Sequence, residues 1–392
     1  MKLLVIGSGM MGSAAAYDMA RCVRVEEITL ADADKRRAKD AAARINQLTR
    51  SRKVHAVSLD AASHRAVTRL MSKHDGALSA VPYFYNLELA RAAIDARCHF
   101  ADLGGNNTVV RQELALDKKA ASRKIGIAPD CGLSPGMASI LGGDLVRRMG
   151  GKVDALKLYV GGLPQKPKPP FNYQLVFSVE GLINEYAEPA RILRRGKMQI
   201  IEPLTEIERF KIPNFPELEA FHTSGGTSTM PETFAGKVGE CFEKTLRYPG
   251  HVAMIRALYD LGLFSQQKRK VGKAEITPRQ LTSQLFLEKF AGDSPDVTVM
   301  RIEAHRDGKL AAFTMIDKFD AKTKMTSMMR TTAWPASVVL QMMVSGEIEK
   351  RGAILQERDV PPTQFISEMG ARGIELQYSF QEAEGHSSSV TA

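Results

Sequence analysis

The chain has 392 residues, enough for two domains with separate cores, and its 44% hydrophobic and 25% charged residues are those of a folded globular protein. Its net charge of +10 is spread thinly, with short clusters only at Lys35, Arg36, Arg37 and Lys39 and at Lys268, Arg269, Lys270 and Lys273; no basic stripe alternates with aromatic residues, which excludes nucleic acid as the expected partner. No run approaches the roughly 18 apolar residues that cross a membrane, and Cys22, Cys98, Cys131 and Cys241 form no C-x-x-C pair, which argues for a reducing, cytoplasmic setting with no metal or disulfide framework.

Lys2 to Ile6 is a short apolar strand that runs into Gly7-Ser-Gly-Met-Met-Gly12, and Ser13 to Ala20 opens a helix. The glycines interrupt what would otherwise resemble a signal peptide, so the segment reads as the start of the fold. Strands are predicted at 27–31, 54–59, 76–81, 98–101 and 126–128, alternating with helices at 35–48, 64–72, 87–96 and 112–122. Such an order calls for a parallel, doubly wound sheet with right-handed crossovers. After about residue 150 the predicted strands lengthen and alternate, at 153–160, 174–179, 297–304 and 310–316, and Asp307-Gly308 between the last two is a hairpin signal. Pro164 to Pro170 reads as a stiff loop, residues 336–355, after Trp334-Pro335, as a helix, and the tail from Glu382 as disordered. The expected fold class is α/β, a Rossmann sheet with an inserted α+β, largely antiparallel domain for substrate binding and dimerisation.

The glycines carry the firmest chemistry. Gly7 permits the tight turn after the strand, Gly9 lets backbone approach a pyrophosphate, and Gly12 lets helix and strand pack closely. Phosphates then meet the free N–H groups of Met10 and Met11 at the positive end of the helix. Asp32 ends the second strand, where an acid binds the adenosine ribose and repels a 2′-phosphate, so NAD is the expected cofactor. Lys35, Arg36 and Arg37 soften that preference and leave NADP open. Asp60 is either an adenine contact or a turn residue, and Pro82 ends the fourth strand beside the expected nicotinamide ribose.

Polar, glycine-punctuated segments point to a substrate. Asp102-Leu-Gly-Gly105 and Asp130-Cys-Gly-Leu-Ser-Pro-Gly136 follow Rossmann strands and face the crevice; Phe221-His-Thr-Ser-Gly-Gly-Thr-Ser-Thr229 gathers hydroxyls and glycines; Thr245-Leu-Arg-Tyr-Pro-Gly-His251 supplies a guanidinium and an imidazole. On these segments, with Tyr159-Val-Gly-Gly-Leu-Pro and Tyr173 to Gly181, the chain resembles the saccharopine dehydrogenase family, and within it the lysine 6-dehydrogenase branch. The likeness is close over residues 1–260 and looser beyond; Ser134 stands where that family usually has Ala. It implies that residues 1–130 and 332–381 form the dinucleotide domain and 131–331 the substrate and dimerisation domain, in a homo-oligomer.

The resemblance also implies an amino-acid substrate and oxidative deamination of the side-chain amine of lysine or a related basic amino acid. On that reading His251 is the base or proton relay, with His222 as the other candidate. Asp130 orients the amine or water, or else caps a helix near Gly136. Arg247 binds the α-carboxylate, helped by Thr223 and Ser224, or else pairs with Glu243 across a helical turn; Tyr173 lines the pocket. Two other readings stay open: saccharopine-type chemistry on a secondary amine, which needs a second carboxylate clamp, and a non-catalytic NAD-sensing regulator. Arg191, Arg194 and Arg195 look like a solvated cluster, Cys131 like a core residue, and the late methionines like core or interface.

Overall fold

The computed structural model describes residues 1–292 and 294–382. Its first sheet has seven parallel strands in the order Val54–Ser58, Glu27–Asp32, Lys2–Ile6, Gly76–Ser79, His99–Asp102, Gly126–Ala128 and Gly352–Ala353. Alternation along the first strand sets two cores. Leu3 and Val5 pack toward the helices Met10–Arg21, Lys35–Thr49 and Ser327–Ser345, whereas Leu4 and Ile6 pack toward His64–Met71 and Asn86–Ala96. Strand order reverses beside Lys2–Ile6, so the carboxyl ends open a crevice there, where this architecture binds ligands.

The second sheet has nine strands, with Val153–Pro164 and Asp296–Arg306 at its centre and Gln377–Glu382 at one edge. Only Val153–Pro164 and Val238–Arg247 run parallel; the other pairs are antiparallel. The expected hairpin forms, with Asp307 and Gly308 both at positive φ between paired Arg306 and Lys309.

Four sequence expectations need correction. Residues 174–179 form no strand: Leu175 N–H donates to the Phe290 carbonyl, Gln174 bonds the Gly292 and Ser294 carbonyls, and Ser178 caps the helix Val179–Ala187. The helix placed at 336–355 runs from Ser327 to Ser345, with Pro335 inside it. Its cap Thr326 and burial of Ala333 to Met343 outweigh the hydrogen bond lost at the proline. The helix placed at 112–122 is two, Asn107–Leu114 and Asp117–Ser122. Finally, Glu382 pairs with Lys309, so the chain from Gln377 joins the second sheet, away from the first domain to which residues up to 381 were assigned; residues 383–392, expected to be a disordered tail, lie outside the described residues.

The long Ser327–Ser345 helix is bound to the first domain by polar contacts as well as packing. Trp334 stacks on Tyr17, and the buried Asp18 accepts from Ser337 and Arg372, each at 2.7 Å. Met325, Met328, Met342 and Met343 are buried in the same core. No helix among the described residues is long and apolar enough to cross a membrane.

Candidate active site

The glycine turn leaves room for a ligand backbone-close. A Cβ on Gly12 would lie 1.8 Å from the Gly7 carbonyl oxygen, and one on Gly7, itself at φ 101°, would lie 2.6 Å from that of Ala80. At Gly9, by contrast, a Cβ would meet nothing within 4 Å. Gly9 is the N-cap of Met10–Arg21, no side chain caps that terminus, and Met10 is exposed beside it. Uncapped N–H groups beside open space suit a pyrophosphate.

Asp32 is less available than its position suggested. Oδ2 accepts from the Ser8 N–H and hydroxyl, each at 2.7 Å, Oδ1 accepts from the Asp34 N–H, and the Arg37 guanidinium bridges both oxygens at 2.7 and 3.0 Å. Burial alone would raise this carboxyl, yet Arg37 and the backbone donors outweigh it and bring it down to about 2. Asp60 is exposed and accepts from the Ala62 N–H, as a turn residue does. Pro82 is exposed and leads into the single turn Tyr83–Tyr85.

Two buried carboxyls, Asp102 and Asp130, sit on the far side of the crevice. Asp102 ends its strand with no exposure, and its Oδ1 accepts from the Gly104 N–H at 2.6 Å and the Asp130 N–H at 3.3 Å. Asp130, at φ 59°, follows the strand Gly126–Ala128 and accepts from the Ser228 hydroxyl. The Gln356 amide holds this turn by donating to the carbonyls of Pro129 and Asp130, both at 2.7 Å. Burial, helped by the Asp102 charge, pushes the Asp130 carboxyl up to about 7. The position is strand-end loop, not the cap of the helix Ala138–Arg148.

A second buried cluster forms in the other domain. Arg247, 2% exposed, ends the strand Val238–Arg247, donates from Nε to the Tyr186 hydroxyl at 3.2 Å and lies over the Tyr173 ring at 4.8 Å. Its ionic partner is Glu185 at 3.7 Å, on the helix Val179–Ala187. Glu243 sits on the same strand, so the helical pairing considered above does not arise. Thr223 donates to Glu243 and meets Thr245 at 2.7 Å. Burial pushes Glu185 up to about 7 against the pull of Arg247, and Glu243 up to about 8 with help from Glu185.

His251 is fully buried at the start of the helix His251–Asp260. Its Nδ1 is 2.8 Å from the Phe171 carbonyl oxygen, so that nitrogen carries the proton, and Nε2 accepts from Tyr186 at 3.0 Å. Burial, then Arg247, push its pKa down to about 3. His222 points elsewhere, between Glu206 at 3.2 Å and the Glu243 carbonyl, because neighbouring residues on a strand face opposite sides.

The stretch 222–229 ties the two clusters together. The Ser224 N–H donates to the Glu185 carbonyl, Gly226 lies against the Glu243 carboxylate, Ser134 donates to the Gly226 carbonyl, and Ser228 reaches Asp130. A Cβ on Gly225 would meet nothing within 4 Å, so this turn borders open space. Glu113, Glu185 and Tyr186 were missed by sequence reasoning, and Glu243 entered it only as a helical partner of Arg247; the one signal for Glu113 is its i+3 spacing from the buried Val110. Arg191 also departs from expectation. It is only 11% exposed and pairs with Glu232, which Arg111 of the first domain approaches at 3.6 Å, whereas Arg194 pairs with Glu206 at the surface.

Comparison with known proteins converges on one family. Residues 3–127 match the saccharopine dehydrogenase NADP binding domain and residues 132–374 the saccharopine dehydrogenase C-terminal domain. The saccharopine dehydrogenase [NADP(+), L-glutamate-forming] of Pyricularia oryzae is 24% identical over 253 residues, 62% of this chain and 55% of that protein. The mitochondrial alpha-aminoadipic semialdehyde synthase of Mus musculus is 23% identical over 295 residues, 71% of this chain and 30% of that one. This chain thus spans about half or less of the length of these relatives. Among solved structures, apo saccharopine dehydrogenase (L-Glu forming) from Saccharomyces cerevisiae superposes with a TM-score of 0.76 at 18% identity, covering 97% of this chain and 99% of the other. Homospermidine synthase from Legionella pneumophila, in complex with NAD, gives 0.67 at 10% identity, covering 97% and 92%.

Proposed function

The chain belongs to the saccharopine dehydrogenase family, and from that premise we propose that it oxidises the side-chain amine of a basic amino acid, lysine above all, with a nicotinamide dinucleotide as hydride acceptor. The single observation behind this reading is the Arg247 cluster. One buried guanidinium beside two carboxyls, the partly buried Glu185 and the buried Glu243, complements one carboxylate and one ammonium, the head of an α-amino acid. It also counts against a non-catalytic regulator, which needs no such constellation.

The oxidation removes a proton from the ammonium and a hydride from the adjacent carbon, leaving an iminium that water converts to aldehyde and ammonium; the aldehyde then cyclises on the α-amine. Asp130 suits the first step better than His251. A carboxyl titrating near 7 at a strand end facing the crevice accepts a proton at working pH. His251, with both nitrogens engaged, is instead assigned to fixing Tyr186, which in turn fixes Arg247.

The second reading, cleavage or formation of a secondary amine, draws support from Arg191, whose low exposure beside the 227–232 segment offers a further carboxylate clamp. NADH or NADPH absorbance, with lysine, ornithine, saccharopine and simple amino acids as substrates, separates the two. Turnover of lysine without saccharopine supports deamination; turnover of saccharopine alone replaces it with the second reading.

Cofactor choice rests on Arg37. With Asp32 neutralised by Arg37, a 2′-phosphate meets a guanidinium that is 58% exposed, whereas a ribose hydroxyl competes with it for the carboxylate. Arg37→Ala is expected to weaken 2′,5′-ADP binding about tenfold and to leave 5′-AMP binding unchanged or tighter, read by calorimetric titration of the full chain. Equal losses for both probes would remove Arg37 from cofactor selection.

A further inference from the structure

Glu113 takes no part in the chemistry described so far, yet its surroundings are hard to explain unless it carries a proton. It lies on the inner face of the helix Asn107–Leu114 with no exposure, and neither carboxyl oxygen has a hydrogen-bond donor. Asp102, equally buried, also has one oxygen without a donor, Oδ2, and the two carboxyl groups lie within hydrogen-bonding reach of each other. Two ionised carboxylates facing each other away from water would leave three bare oxygens and a repulsion undamped by solvent. A single proton between them removes the repulsion and pairs two of the three oxygens, leaving only a neutral carbonyl oxygen bare, since a carboxyl donating to a carboxylate makes a strong, short bond.

We propose that Glu113 is a positioning residue that stays protonated, donates to Asp102 Oδ2 and thereby holds Asp130 in its crevice-facing conformation. The geometry links the three step by step. With Oδ2 engaged by Glu113, Asp102 turns Oδ1 toward the Gly104 N–H at 2.6 Å and the Asp130 N–H at 3.3 Å. The Asp102 carbonyl takes the Cys131 N–H at 2.8 Å, so the backbone on both sides of the Asp130 α-carbon is tied to Asp102. That double hold stabilises a left-handed φ of 59°, which a residue with a Cβ adopts only under constraint.

The titratable groups facing Asp130 are Asp102 from its strand, Glu113 from the helix behind it and Glu357 from the helix Gln356–Asp359; Ser228 supplies a hydroxyl donor. Burial, then the Asp102 charge, push Glu113 well above the usual carboxyl range, in keeping with the geometry. The charge left on Asp102 keeps Asp130 a weaker acid. This role rests on the reading of Asp130 as the base.

Two substitutions isolate the donated proton. Glu113→Gln keeps an N–H for Asp102 and should retain kcat within about threefold, with an unchanged pH profile. Glu113→Leu removes the donor; Asp102 then takes up the proton itself, so kcat should fall at least tenfold or so and the rising limb of the pH profile should move to lower pH. Infrared difference spectra at pH 9, Glu113→Gln against wild type, should show loss of one carboxylic-acid carbonyl band. Cofactor binding and thermal unfolding report whether each variant is folded. Equal activity losses in both variants, an unmoved Glu113→Leu profile, or no missing band would overturn the proposal. The infrared result needs no turnover, so it decides the protonated pair even if every amine fails as substrate and the functional reading falls with it.

Discussion

Asp130→Asn is expected to lose about 10²–10⁴-fold in kcat while making the folded protein more stable at alkaline pH. The first effect follows from removing the group that accepts the proton of the substrate ammonium. The second follows from linkage. The Asp130 carboxyl is raised by burial and by Asp102 to about 7 in the folded chain, against about 4 for an unfolded aspartate. The folded state therefore holds a proton that the unfolded state releases, and stability contributed by the protonated form is full below the unfolded pKa and lost as pH rises through 7. Asparagine has no charge to bury, accepts the Ser228 hydroxyl and tolerates left-handed φ. Its advantage should be near zero at pH 4, grow from pH 4 to 7 and level at about 2–4 kcal/mol above that. Urea unfolding at pH 4, 6 and 8.5 measures this. A variant no more stable than wild type at pH 8.5 would mean that Asp130 is ionised at little cost and is not tuned for proton transfer.

How much of this arrangement was legible beforehand depended on the range of the interaction. Lys2 to Ile6 and Gly7 to Gly12 declare themselves locally, because an apolar run ending in glycines has few alternatives to a strand and a tight turn. Asp307-Gly308 did the same for the hairpin. The 174–179 segment misled because its alternation suits a strand, but the Phe290, Gly292 and Ser294 carbonyls that hold it lie over a hundred residues away. Pro335 misled in the opposite sense, since only tertiary burial retains a proline within the Ser327–Ser345 helix. Arg247, Tyr173 and His251 lie together in the fold, with Thr223 on the neighbouring Glu243, but a strand's alternation sent His222 to the other side. Glu113, Glu185 and Glu243 look in sequence like ordinary solvated carboxylates. The burial of Glu113 and Glu243 and the partial burial of Glu185 are products of the fold, and so are their raised pKa values.

The second large effect is expected at Arg247. Arg247→Lys should raise KM for the amino-acid substrate about 10²-fold, or 2–3 kcal/mol, with a smaller change in kcat and no change in nucleotide binding. Lysine keeps the charge, so simple electrostatics predicts little effect. The geometry argues otherwise. Nε is committed to Tyr186 at 3.2 Å and Nη1 to the Leu246 carbonyl at 3.0 Å, while Glu185 stands 3.7 Å from Nη2. The planar group, held over the Tyr173 ring at 4.8 Å, leaves its remaining N–H donors in one plane for a bidentate carboxylate. An ammonium on a flexible stem cannot hold Tyr186, sit over Tyr173 and fork toward a carboxylate at once. It would also leave the Tyr186 hydroxyl facing His251 without its second partner, so His251→Ala should reproduce part of the same KM effect by loosening Tyr186. Steady-state kinetics on the single and double variants test this. If the double-variant KM equals that of Arg247→Lys alone, the two act on one contact; if the effects multiply, His251 has a role of its own and the proton acceptor must be sought there instead of at Asp130.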